Sequence, residues 1–369
     1  MLSHLQSLAI HSYYVGEFAT GRRACDRILS MDSLPDGVED TARTNRTYYT
    51  PTLDELAGVT FRRFDVEPAG DGWSLFNPSI ISHGDGFLAI VRSSNYSISQ
   101  GRYEMPATDA GVIKTKNILV RLSSELDILD ARPIAGPTYP QSGYPVWGLE
   151  DCRLRRTGDQ FGVSATIRNA SGFDGRCRIG TADLDVETAT LSNLEIADGL
   201  GEQEHEKNWM PIEGRGGWLY SCCHAGRTVS IDSMPDGSWA LARVAASPTI
   251  AKGFRGGSQL VPFNGGFLGC IHEVAHIHGA RAYEHRLVWL DNGLTLRKMS
   301  PLFAFREKQA IEFAAGLAIV ADRVVVSFGV RDAEAWTVEI SQVDVETMLY
   351  EIHTASQDRP DARGLLASA

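Results

Sequence analysis

The chain has 369 residues, 43% of them hydrophobic and 22% charged, with a formal net charge of −11 and a sequence pI near 5.4. That charge excludes a concentrated basic face for nucleic acid, although a local pocket of Arg and Lys can still hold a small anion. No run of about eighteen apolar residues offers a membrane span, and a length of this order allows one large all-β domain or two ordinary ones.

The segment Met1–Leu8 lacks the basic and apolar regions of a signal peptide, so a cytoplasmic location is expected. Leu2, Leu5, Leu8, Ala9, Cys25, Ile28 and Leu29 recur at helical spacing. Residues 21–29 read as one amphipathic helix, and Pro35-Asp-Gly37 reads as the turn after it. Residues 1–55 are therefore expected to form a short helical prefix. The six cysteines, at 25, 152, 177, 222, 223 and 270, contain no Cys-x-x-Cys pair, so neither a zinc site nor a disulfide framework is expected.

From about residue 60 the texture changes to short apolar runs bounded by Gly, Asp, Asn and Pro, such as Gly86–Arg92, Gly217–Cys222, Gly266–Ile271 and Arg323–Phe328. A polar triplet opens a strand and a second apolar strand follows a tight turn, in five places. The units begin at Asn77-Pro-Ser79, Glu150-Asp-Cys152, Lys207-Asn-Trp209, Gly256-Gly-Ser258 and Glu312-Phe-Ala314. Their starts are 73, 57, 49 and 56 residues apart, near the span of one four-stranded propeller blade with its loops. The predicted fold is all-β: a five-bladed β-propeller over residues 56–355, with the helical prefix before it and a disordered tail over 356–369. A two-sheet sandwich with long insertions is the competing architecture. In a propeller the polar triplets converge on the central channel as a pocket.

Asp151 is the candidate catalytic acid, because making or cleaving a glycosidic bond needs a proton moved at the bridging oxygen. An ion pair with Arg153 or Arg155 at a turn is the competing reading. Strand alternation turns the neighbouring Glu150 to the opposite face, so only one of the two carboxylates should face a shared pocket directly. Asn77 and Arg92, from the first unit, are sugar-binding candidates with Glu150, Glu312 and Asn208. Lys207 suits a phosphate oxygen as a point charge, and Trp209 could offer a ring face to a pyranose. Arg255-Gly-Gly would bring an arginine and bare backbone to the channel. His272-Glu-Val-Ala-His276 has the spacing of a zinc protease helix, but it continues the apolar strand from Gly266, so no metal is assigned. Tyr283 and His285 share one strand face and are ligand candidates, with His285 equally suited to a core role. Asp332, after Ser327-Phe-Gly-Val-Arg331, could cap a turn or hold two sugar hydroxyls. No P-loop, dinucleotide fingerprint, nucleophile elbow or Asp-x-Asp motif is seen, and no cofactor is expected.

Together these segments resemble the five-bladed propellers of glycoside hydrolase family 130 and the related β-mannoside phosphorylases and mannosyltransferases. The likeness rests on Gly148-Leu-Glu-Asp-Cys-Arg153, on Glu206-Lys-Asn208, and on the stretch from Leu287–Asp291 through Ser300–Phe303 to Phe328–Asp332. It covers roughly residues 70–350. More faintly, the prefix with Asn45, Tyr48 and Tyr49 resembles a linker that precedes such domains in larger bacterial proteins. The resemblance implies inverting transfer with Asp151 as acid, phosphate binding by Arg168, Lys207 and His272, and a hold on the transferred sugar by Asp332. Cys152 departs from the family's usual proline or alanine. The second phosphate arginine is open among Arg176, Arg178 and Arg255.

The expected function is that of a phosphorylase-like glycosyltransferase or glycoside phosphorylase acting on a β-linked hexoside, mannoside by resemblance. Its partners would be a carbohydrate and a phosphate, sugar-phosphate or nucleotide-sugar, with no nucleic acid, and with a homo-oligomer left open. An inverting hydrolase with Glu150, Glu273 or Glu312 as base is one alternative, and a non-catalytic carbohydrate-binding propeller is the other.

Overall fold

The computed structural model describes residues 1–99, 102–106, 109, 111–137, 139, 142–170, 175–197, 204–233 and 238–352. The expected disordered tail, 356–369, lies outside the described residues.

Five antiparallel sheets follow one another along the chain, and each is a blade. Blade I is built on Ser74–His83, Gly86–Ser94, Ile113–Leu122 and Ile128–Pro133, and blade II on Glu150–Thr157, Gln160–Ile167, Arg178–Asp185 and Thr190–Ala197. Blade III comprises Met210–Pro211, Trp218–His224, Arg227–Ser233 and Trp239–Ala246. Blade IV places Arg255–Gly256 and Val261–Phe263 against Gly266–Ile277, followed by Ala280–Asp291, Leu296–Met299 and the outermost Tyr350–Glu351. Blade V holds Glu312–Val320, Arg323–Val330 and Glu334–Ser341, and takes its outer strand, Val59–Arg63, from the other end of the domain. Val59 pairs with Ile340 and Arg63 with Trp336, which closes the ring.

The continuous apolar runs follow from this arrangement. Every blade is covered on both faces by its neighbours, so a middle strand has no wet side; Gly86–Ser94 is buried at each position. One apolar cluster fills each junction. Leu88, Ile90, Leu154 and Val163 join blades I and II. Ile179, Trp209, Trp218 and Val229 join II and III. Leu219, Leu260, Ile271 and Val288 join III and IV. Leu268, Leu287, Leu317 and Phe328 join IV and V, and Ala318, Val325, Ile80 and Phe87 join V and I. Each such Val, Leu, Ile or Phe side chain contributes roughly 1.5–3 kcal/mol of burial. Several hairpins turn on two residues with positive φ, Ala225-Gly226, Asn264-Gly265 and His278-Gly279, as the mirror-image turns favoured by twisted strands require.

The prefix is three helices, α1 (Leu2–Tyr14), α2 (Phe18–Leu29) and α3 (Val38–Thr47): the helical spacing read at Leu2–Ala9 falls in α1 and the helix read at 21–29 in α2, while α3 was not expected. Ala9, Ala24, Cys25, Ile28, Leu29 and Ala42 form the small core of the prefix. α3 escaped the sequence reading because its sequence, VEDTARTNRT, has no apolar period; its buried residues are Ala42, Arg46 and Thr47.

Buried charge fastens this bundle to blade IV. Arg46, 1% exposed, donates to Glu273 at 2.9 Å and Glu284 at 3.2 Å. Arg286 donates to Glu273 at 3.0 Å and Asp26 at 3.3 Å, and Arg43 donates to Glu273 at 2.8 Å. Thr50 donates to Glu284. Burial alone would lift the Glu273 carboxyl, but Arg46, Arg286 and Arg43 outweigh it and pull it down to about 2. Among the described residues, no helix is long and apolar enough to cross a membrane.

Candidate functional site

Four of the five polar triplets lie at or beside the start of a blade's first strand, the first, Asn77-Pro-Ser79, lies at a bulge within Ser74–His83, and four of the five contribute to a single cavity of about 350 Å³. Asn77 stands at that bulge, Asp151 and Asn208 at or just before strand starts, and Asp332 follows the second strand of blade V. All four have left-handed backbone, with φ of 47°, 51°, 64° and 51°. Asn and Asp tolerate that conformation better than other side-chain-bearing residues, and such local strain gathers where function constrains the chain. Gly329 makes room for the first of them: a Cβ there would lie 2.1 Å from Asn77 Oδ1.

The kink at Asp151 corrects the expectation for Glu150. Left-handed φ and a register shift opposite Ser164–Thr166 break the strand alternation, so both carboxylates line the cavity. Arg92, 4% exposed, spans them, its Nη1 donating to Asp151 Oδ1 at 2.8 Å and its Nη2 to Glu150 Oε1 at 2.6 Å. Asn77 Nδ2 donates to the same Asp151 oxygen at 2.9 Å. Burial raises the Asp151 carboxyl, but Arg92 and Asn77 outweigh it and hold it below the usual carboxylate range. Asp332 behaves oppositely. Burial keeps its carboxyl above the usual range despite Arg92, and Tyr96 donates to it at 3.0 Å.

Arg153 does not pair with the Asp151 carboxylate. It lies 1% exposed beneath the cavity and donates to the carbonyls of Gly257 (2.6 Å) and Asp151 (3.2 Å) and to Asn208 Oδ1 (3.1 Å). It thus ties blade II to blades III and IV, and burial lowers its pKa to about 10. Arg155 reaches Asp183 instead, at 3.5 Å. Cys152 faces the core between blades I and II, where burial pushes its thiol up to about 12.

All four phosphate candidates, Arg168, Lys207, Arg255 and His272, line the cavity. Arg168 lies 3.6 Å from Glu150. Lys207 and Arg255 have no ion-pair partner among the described residues. His272 is 2% exposed and stacked on Tyr283 with ring centroids 4.9 Å apart. Burial, then the neighbouring His285, Arg255 and Arg153, hold it well below the usual imidazole range, so it is neutral. Its Nδ1 finds no partner among the described residues. The cavity walls carry five cationic side chains, Arg92, Arg168, Lys207, Arg255 and Arg281, against three carboxylates, on a chain whose net charge is −11.

Two sugar-binding candidates stand elsewhere. His285 is fully buried among Phe303 and Phe305. Glu312 accepts from the backbone amides of Phe305, Arg306 and Glu307 at 2.6–3.0 Å, and burial raises its carboxyl to about 7. Trp209 is core, its indole donating to Glu206 at 3.0 Å. Gly256 serves protein packing rather than a ligand, since a Cβ there would meet the Asn208 carbonyl at 1.9 Å. The zinc-protease spacing lies on a strand, which points His272 into the cavity and Glu273 into the buried clamp. No group of three or more metal-ligating side chains occurs among the described residues.

The cavity also recruits Tyr96, Tyr103, Tyr144, Arg281 and Phe313, which the sequence reading missed. Arg281 was findable, because it lies two residues before Tyr283 on the same strand face.

Fold and cavity together define a five-bladed β-propeller with a polar, cation-rich central pocket. No family model and no curated protein sequence matches the chain. Solved structures of the same fold do. A candidate glycoside hydrolase from Parabacteroides distasonis matches with a TM-score of 0.54 at 12% identity, over 78% of this chain and 98% of that one. A candidate glycosidase from Bacteroides thetaiotaomicron gives 0.53 at 14%, over 76% and 96%. A structure of the GH130 family of mannoside phosphorylases, described as containing glycoside hydrolases that target β-1,2 mannosidic linkages in Candida mannan, gives 0.50 at 12%, over 79% and 96%. These likenesses agree with the resemblance read from the motifs and establish the propeller.

Proposed function

We propose that the chain is an inverting glycosyl-transferring enzyme that moves a hexose, mannose by resemblance, between phosphate and a β-linked sugar, with Asp151 as general base or acid. One observation carries this reading: an ionised Asp151, held by Arg92 and Asn77, stands in a cavity whose cations outnumber its carboxylates. That surplus suits a phosphoryl dianion, and Lys207, Arg255 and Arg168, with neutral His272, are the groups to hold it. The mannoside chemistry named for the GH130 structure supports the choice of sugar.

In the synthetic direction an acceptor hydroxyl oxygen attacks the anomeric carbon of a sugar 1-phosphate. The new C–O bond forms as the bond to phosphate breaks, phosphate leaves with the electron pair, and the hydroxyl proton passes to Asp151. The reverse reaction returns that proton to the departing acceptor oxygen while phosphate attacks. A low carboxyl pKa makes the base role the resting state of Asp151.

The test measures phosphate release from mannose 1-phosphate with a panel of sugar acceptors, for the native chain and for Asp151→Asn. Turnover by the native chain and its loss in the variant are expected; equal turnover by both would remove Asp151 from the reaction. A hydrolase is the second reading, favoured by Glu150 turning into the cavity beside Asp151. Glu273 and Glu312 are no longer candidates for its base, since their oxygens are engaged in the clamp and by backbone amides. Release of free sugar from β-mannosides at the same rate with and without phosphate would select that reading.

A further inference from the structure

Taking the cavity to hold a phosphoryl group, as proposed above, we infer that Arg153 is a positioning residue: it fixes the Asn208 amide so that Nδ2 is presented to that group as a hydrogen-bond donor. Arg153 is 1% exposed and has no ion-pair partner among the described residues. Each nitrogen of its guanidinium meets a neutral oxygen instead. Nε donates to the Gly257 carbonyl at 2.6 Å, Nη1 to the Asp151 carbonyl at 3.2 Å and Nη2 to Asn208 Oδ1 at 3.1 Å. Its central carbon lies 5.3 Å from the centre of the Phe313 ring. Groups from blades II to V therefore hold one planar guanidinium, which cannot turn without breaking these contacts.

A guanidinium only donates. The Asn208 atom facing Nη2 is therefore the carbonyl oxygen, and the amide nitrogen is turned away from Arg153. Nδ2 has no hydrogen-bond partner among the described residues, and Asn208 lines the cavity. Its surroundings select the ligand atom. Lys207 precedes Asn208, and with the left-handed backbone at Asn208, φ 64°, both neighbours line the cavity, as Glu150 and Asp151 do. The Asn208 carbonyl packs on Gly256, where a Cβ would lie 1.9 Å away, and Arg255 is the residue before that glycine. Asn208 thus stands beside the two cavity cations that have no ion-pair partner among the described residues. A phosphoryl group presents three acceptor oxygens, so an amide whose donor side is locked toward it suits it. A sugar hydroxyl both donates and accepts; either side of the amide would serve it, with no need for a buried arginine to choose one. Lys207 and Arg255 supply charge, and Asn208 supplies direction.

Calorimetric titration of inorganic phosphate into the full chain and its variants, with urea unfolding alongside, tests this. Asn208→Asp should keep at least native stability at pH 7, because its carboxylate still accepts from Arg153 and now offsets a buried charge. It should nevertheless bind phosphate at least about tenfold more weakly, the donor being gone and a like charge added. Asn208→Leu adds no charge and should also lose about tenfold. A double-mutant cycle separates positioning from scaffolding: Arg153→Lys should weaken phosphate about tenfold alone and change it little once Asn208→Leu is present. Equal losses in both backgrounds, native phosphate affinity in Asn208→Asp and Asn208→Leu, or a destabilised Asn208→Asp would each overturn the role given to Arg153. Asn208→Asp keeps Arg153 satisfied, so it decides the matter even where Arg153→Lys does not fold. A native chain that binds no phosphate would bring down the reading of the cavity, and this role of Arg153 with it.

Discussion

Two charge networks stand back to back on blade IV. On one side of Gly266–Ile277, His272 faces the cavity; one residue on, Glu273 faces the helices. The clamp against the helices sets Arg43, Arg46 and Arg286 against Asp26, Glu273 and Glu284, three charges of each sign in mutual contact. The cavity sets five cations against three carboxylates and leaves Lys207 and Arg255 without an ion-pair partner among the described residues. A balanced, sealed network satisfies itself and holds structure together. An unbalanced, open one leaves charge over for the ligand of the proposed function, although residues of the same types, two of them adjacent in sequence, build both networks.

Substitutions on the two sides should therefore fail differently. The largest effect is expected from Asp151→Asn, a loss of roughly 10³–10⁴ in kcat, about 4–5.5 kcal/mol of transition-state stabilisation, with the melting temperature nearly unchanged. Steady-state kinetics beside a thermal melt checks both halves. Glu273→Gln strands Arg46 and Arg286 in the interior and should cost about 3–5 kcal/mol of stability, read by urea unfolding. The prefix helices should show the earliest loss of hydrogen-exchange protection. A comparable loss of stability in Asp151→Asn would erase the distinction between the two networks.

Acid should act on the clamp in the same sense. The folded Glu273 carboxyl is depressed from 4.5 to about 2, so its contribution is fully present above pH 4.5 and is lost as pH falls toward 2. Unfolding monitored across that window should show the native chain losing stability that Glu273→Gln, already without it, does not lose. The smallest effect is expected at the cavity rim. Lys207→Met should raise the KM for the phosphoryl substrate about tenfold, equivalent to about 1.4 kcal/mol, leave stability unaltered, and reduce the salt dependence of KM. A fall in kcat with unchanged KM would move Lys207 out of the binding role.

Much of this was legible locally. Four of the five polar triplets lie at or beside the start of an innermost strand, because turn residues and apolar runs encode strand ends by short-range chemistry; Asn77-Pro-Ser79 marks a bulge within Ser74–His83 instead. Continuity with the apolar run from Gly266 put the His-Glu-x-x-His segment on a strand, and it is one. Strand alternation failed at Glu150, where the left-handed backbone of Asp151 folds two neighbours toward one cavity. Helical periodicity failed at α3, whose buried face includes an arginine that looks like surface until Glu273 and Glu284 arrive.

By itself, then, the sequence determined the repeated unit, the number of blades and the polar residues that open them, since these depend on spacing and turn chemistry within a few tens of residues. Tertiary structure alone decided which charges meet. Arg92 reaches Asp151 across 59 positions and Arg46 reaches Glu273 across 227. The first contact is set by the packing of blade I on blade II and the second by the docking of the helices on blade IV. Coulomb interaction depends on separation in space and on burial, and neither is written in the local order of residues.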